Sequence, residues 1–197
     1  MAGHFEPLPG GGAAVALDEV EISILRSLAV QLLELIGPGE TQGPEDADPL
    51  ARLFAEGPSE PPSDPALARL FPDAYGEPGA EPGPQERAHA SEFRRYTEND
   101  LRARKREDAL GVVRSLDSLT VAGDTGAVLR LGPEDCRQWL GSLNDLRLAI
   151  AARLEIKADD DSETLFRLPD EDPRKPMVMA YLWLGGLQET LVEALMS

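Results

Sequence analysis

The sequence predicts an all-α fold, a compact bundle of about five main helices with a minor β-hairpin or short strands. Three observations point there. Segments 18–36, 84–119 and 133–157 and the stretch from Val178 onward carry apolar residues three or four apart, the period of one helix face. Their starts carry capping residues or prolines, and glycines stop the first of them. Only the N-terminal region and residues 127–131 offer short, glycine-bounded runs suited to strands.

Taken in order, His4–Leu8 and Ala13–Leu17 flank Pro9-Gly10-Gly11-Gly12, the pattern of a small hairpin. The glycines are not followed by Lys-Ser or Lys-Thr, so a turn is favoured over a phosphate loop. Asp18, with Glu21 three residues on, forms a capping box for a helix running to Ile36, where Gly37-Pro38-Gly39 stops it. Ile22, Leu25, Leu28 or Ala29, Leu32 and Ile36 mark its inner face.

Residues 37–84 change character. Proline, glycine and acidic side chains dominate, and too little apolar surface is available to offset the entropy of ordering. The expectation is one domain over 1–197, interrupted by this partly disordered insertion. Within it, Asp48-Pro49-Leu50-Ala51-Arg52-Leu53-Phe54 is echoed by Asp64-Pro65-Ala66-Leu67-Ala68-Arg69-Leu70-Phe71, each an Asp cap, a first-turn proline and an apolar turn. The second copy is expected to fold back onto the parent domain.

A helix follows from Pro84 to about Leu119, either continuous or broken at Thr97-Glu98-Asn99-Asp100, which resembles a fresh start signal, with a later inner face of Leu110, Val113 and Leu116. Ala127–Leu131 reads as a strand able to pair with the hairpin. Pro133, Glu134 and Asp135 then open a helix expected to reach Lys157, with Cys136, Trp139, Leu143, Leu146, Ile150 and Leu154 on its core stripe. The last helix presents Ala180, Leu184, Leu187, Leu191 and Leu195, flanked by Tyr181 and Trp183.

Composition narrows function. A formal charge of -17 over 197 residues opposes approach to nucleic-acid phosphate or an anionic membrane and favours protein partners. The one basic cluster, Arg94, Arg95, Arg102, Arg104, Lys105 and Arg106, is interleaved with acids and reads as a solvated face pairing with the insertion. No secretory signal or spanning segment is visible, and a cytoplasmic location is expected. His4 and His89 lack metal-ligand spacing, no nucleophile elbow or zinc-protease pair is present, and neither a cofactor nor an enzymatic activity is expected.

Two features remain as candidate sites. Cys136, the single cysteine, is by default a buried thiol, with a redox role as the sharper alternative. Asn144, Asp145 and Arg147 interrupt the core helix with adjacent polar groups that need partners, and Gln188 and Glu189 on the last helix are the candidates for a polar network or partner contact.

The run Asn144-Asp145-Leu146-Arg147-Leu148-Ala149, with Trp139, Leu154-Glu155-Ile156, Trp183-Leu184 and Leu187-Gln188-Glu189, resembles an actinobacterial domain-of-unknown-function family that includes the AosR-type oxidative-stress transcriptional regulators. The Asp64-Pro65 to Tyr75 element and the Gly-rich hairpin fit as well. The resemblance implies a small helical fold and a gene neighbourhood with the ClpS protease adaptor and a JAMM-type metallopeptidase. It further implies a non-enzymatic regulator working through contacts with a sigma factor or RNA polymerase. The alternatives are an accessory factor in ClpS-linked proteolysis and an enzyme with a site near Asp145 and Arg147. With Cys136 alone, a switch by intramolecular disulfide is excluded.

Overall fold

The computed structural model describes residues 3–38, 57–76, 81–120, 126–157 and 164–197. Residues 39–56, which hold the first Asp-Pro segment, residues 77–80 of the acidic insertion and the Asp159-Asp160-Asp161 connection lie outside them. Strands β1 (Glu6–Leu8) and β2 (Gly12–Leu17) form the expected hairpin, with Gly10 and Gly11 at positive φ in the turn. β3 (Ala127–Leu131) pairs antiparallel with β2, placing Ala13 opposite Leu131 and Leu17 opposite Ala127 in the order β1-β2-β3.

Helix α1 (Glu19–Ile36) starts on the Asp18/Glu21 capping box, with the Glu21 amide donating to Asp18 at 2.8 Å and the Asp18 amide to Glu21 at 3.0 Å. α2 (Pro65–Leu70) is the second Asp-Pro segment: the Asp64 carboxylate accepts from the amides of Ala66 and Leu67, and Ala66, Leu70 and Phe71 are buried against the domain. It folds back as anticipated.

Three longer helices follow: α3 (Pro84–Asp117), α4 (Pro133–Arg153) and α5 (Lys175–Met196). α3 is unbroken, which decides against the alternative of a break at Thr97. The Thr97 hydroxyl donates to the Phe93 carbonyl at 2.8 Å, and Glu98 turns inward between Arg94 and Arg102, so the supposed fresh start lies inside the helix. Its apolar face is Ala109, Val112 and Leu116, with Leu110 only half-buried. Buried Gly111 explains the rotation: a Cβ there would collide with the Gln138 side chain of α4, so the two helices meet closely on that face.

α4 stops at Arg153 rather than Lys157, because Glu155 takes a left-handed φ of 57° that ends helical bonding. All six stripe residues, Cys136 through Leu154, are buried. In α5 the inner stripe is Val178, Leu184, Leu187, Leu191 and Ala194; Ala180 is half-buried and Leu195 is exposed, so the stripe is displaced at both ends. One contiguous apolar core joins β2, β3 and α1 to α5, with Trp139 fully buried in it, edge-on to Phe5 at 5.9 Å and bonded through its indole N–H to the Ser115 hydroxyl at 2.9 Å.

Candidate functional site

The polar run of α4 separates onto two sides of the helix. Asp145 is buried and faces α3, where it accepts from the Lys105 ammonium at 2.5 Å. Burial pushes its carboxyl above the ordinary value, against the downward pull of Lys105. Asp108 lies on the same side of α3 and is also raised by burial; Gly141 opposite leaves room for it, since a Cβ there would come within 2.7 Å of the Asp108 carboxylate. Lys105 opposes both carboxylates, and Arg104 acts with it on Asp108.

Arg147 faces α5. Its guanidinium donates to the Gln188 side-chain oxygen at 2.7 Å and lies over the Tyr181 ring at 5.0 Å, with Gly185 beside it. Arg147 with Gln188 is one of the pairings anticipated from sequence. Asp145 finds its partner on α3 instead, 40 residues upstream in the chain. Asn144 and Glu189 are exposed, and neither closes onto the other helix's polar groups.

Sequence reasoning missed the roles of the basic cluster. Arg94 is buried, donating to Glu98, to Asp73 at 2.8 Å and to the Phe71 carbonyl at 3.0 Å. Arg102 bonds Glu98 and the Ile36 carbonyl and stacks over Phe71 at 4.4 Å; Arg106 reaches the Gly37 and Leu33 carbonyls. These side chains supply the cationic cap that the last turn of α1 lacks in its own sequence. The expected pairing with the insertion holds for Arg94, which meets Asp73, while the expected solvent exposure is corrected for Arg94, Arg102, Lys105 and Arg106, whose head groups turn inward to carbonyls and carboxylates.

Cys136 is fully buried, its sulfur 3.8 Å from the Leu131 carbonyl, and burial raises the thiol pKa.

Among the described residues an apolar cleft of about 430 Å3 lies between the helices. Leu28, Leu32 and Leu35 of α1 form one wall, and Leu146, Ala149 and Ile150 of α4 the other. The first turns of α5 close the end with Pro176, Met177 and Ala180, and Ala66 of α2 contributes beneath. Gln31 and Arg153 are the polar members; Arg153 also donates to Asp64 at 2.7 Å, tying α4 to the cap of α2. The volume falls in the range of roughly 300–1,000 Å3 typical of small-ligand sites. Leu146 sits in the cleft wall between Asp145 and Arg147, so the two polar contacts fix the turn of α4 that presents it. Among the described residues no group of three His, Cys, Asp or Glu side chains is arranged to hold a metal, and no helix is long and apolar enough to cross a membrane.

A family model described as "Domain of unknown function (DUF2017)" matches residues 2–195. The chain is 30% identical over 177 residues to the oxidative stress regulator AosR of Mycobacterium bovis and to that of Mycobacterium tuberculosis, covering 90% of this chain and 79% of each relative. The putative oxidative stress regulator AosR of Mycobacterium leprae is 30% identical over 182 residues, with the same shares covered. No solved structure matches the chain.

Proposed function

The chain belongs to the DUF2017 family along nearly its whole length, and from that premise we propose that it is a non-enzymatic regulatory protein of the oxidative-stress response, acting through protein contacts. The observation that carries the reading is the 30% identity, over 90% of the chain, to relatives named as oxidative stress regulators. The geometry is compatible: Asp145 and Arg147 engage Lys105 and Gln188 within the molecule, so the polar run acts as a brace for the cleft wall rather than as reacting groups. The partner in this reading is a sigma factor or RNA polymerase, met by a strongly acidic surface.

The test is direct binding of the purified chain to the host's principal sigma factor, to core RNA polymerase and to ClpS, each immobilised separately. Saturable binding to sigma factor or polymerase supports the reading. Binding to ClpS alone moves the protein to an accessory role in proteolysis, and binding to none of the three rejects contact with these partners.

A further inference from the structure

A redox signal must reach an oxidisable atom. Cys136 is fully buried and its thiol pKa is raised, which leaves little of the reactive thiolate. The exposed sulfur-bearing residues among the described ones are methionines: Met177 is 42% exposed, Met179 46% and Met196 84%. Of these, Met177 alone also lines the apolar cleft, where Leu32, Leu146 and Ile150 are its fellow lining residues. It is open to solvent on one side and part of the cleft lining on the other.

We propose that Met177 is an oxidation site at the rim of the α1/α4/α5 cleft, where conversion to the sulfoxide by a hydroperoxide lowers the cleft's affinity for apolar ligands. In the reaction the thioether sulfur attacks the terminal peroxide oxygen. The O–O bond breaks, an S–O bond forms, and the departing oxygen leaves as water or an alcohol after taking the peroxide proton. Sulfur loses two electrons and the peroxide gains them. The product replaces a soft apolar atom by a polar S=O group facing aliphatic side chains, and a sulfoxide reductase can reverse it.

The inference rests on the oxidative-stress reading for its biological sense, but its test needs no partner protein. The full chain is titrated with hydrogen peroxide, sulfoxide at each methionine is followed by peptide mass spectrometry, and affinity for the apolar fluorophore 1-anilinonaphthalene-8-sulfonate is measured alongside. The expected result is Met177 sulfoxide with a loss of probe affinity of about fivefold or more, the lower end of the cost of setting an unpaired polar group against apolar surface. Met177→Leu keeps its affinity under peroxide while Met179 and Met196 still oxidise, and Met177→Gln shows the lowered affinity without oxidant. Met177 remaining reduced after the other two have converted overturns the proposal, as does an equal loss in Met177→Leu or failure of the reduced protein to bind the probe. A positive result with no binding to sigma factor, polymerase or ClpS would leave the oxidation site standing and the partner reading rejected.

Discussion

In the first half of α3 the buried side chains include Arg94 and Glu98; in the second half they are Ala109, Val112 and Leu116. One helix thus holds its neighbours by two means. The first half fixes the 57–76 segment through directed, charge-assisted bonds from Arg94 to Asp73 and Phe71, and just past the midpoint Arg102 and Arg106 hold the end of α1 in the same way at Ile36 and Gly37. The second half packs against α4 and α1 by non-directional apolar contact, fitted closely at Gly111. The difference teaches that a highly charged helix can be as deeply embedded as an apolar one, provided each buried charge is met.

Breaking the first half should have the largest effect. Glu98→Ala removes a buried carboxylate from both Arg94 and Arg102, leaving Arg94 with Asp73 and Arg102 with the Ile36 carbonyl, and loss of one partner of a buried ion pair costs up to about 3–5 kcal/mol. Urea denaturation reads it as a fall in midpoint at unchanged slope. In the second half, Leu116→Ala should cost about 3 kcal/mol, within the cavity-forming range, by the same measurement. A double replacement sharpens the contrast: Arg94→Met with Glu98→Leu should lose far less than Glu98→Ala alone, because an apolar pair of similar volume removes the buried charge together with its desolvation cost. If the double variant is as unstable as the single one, the bonds to Asp73 and Phe71 rather than the ion pair hold the segment.

A smaller effect follows from Asp145. Its carboxyl pKa in the fold is raised by burial above the ordinary value, so the folded state binds the proton more tightly than the unfolded chain. That contribution is fully present below the unfolded pKa of about 3.9 and is lost as pH rises through the folded value. The difference in unfolding free energy between wild type and Asp145→Asn should therefore change with pH in the weakly acidic range and level off above it. Lys105→Met should carry the change to higher pH, since burial then acts without the opposing ammonium. Equal pH profiles in the two backgrounds would show that Lys105 does not balance Asp145. The smallest effect belongs to the exposed Arg26–Asp117 pair at 2.5 Å: Arg26→Ala should leave the melting temperature unchanged within error, because solvent screens it.

The comparison also explains what could be read in advance. In α4 the apolar stripe was legible because Cys136, Trp139 and Leu143 repeat at helical spacing and all point inward. The Arg147 partner was legible as well, since a half-buried cation on that helix needs an acceptor and Gln188 offered one. The inward arginines of α3 were not. A charged residue at helical spacing reads as solvent-facing unless its acceptors are known, and those acceptors are backbone carbonyls of α1 and of the segment before α3. The cleft was equally hidden, because its lining comes from four helices and Met177 has nothing in its local sequence to mark it.

The sequence by itself determined the helical class, the hairpin, the caps at Asp18 and Asp64, and the stripe of α4, because each depends on interactions within a few residues. Only the tertiary structure decided that α3 runs unbroken through Thr97, that Lys105 meets Asp145, that Cys136 is sealed and that Met177 borders a cleft. Those facts depend on which distant surfaces meet, and the burial of a charge, a thiol or a thioether is set by the neighbours that close over it rather than by the residues beside it in the chain.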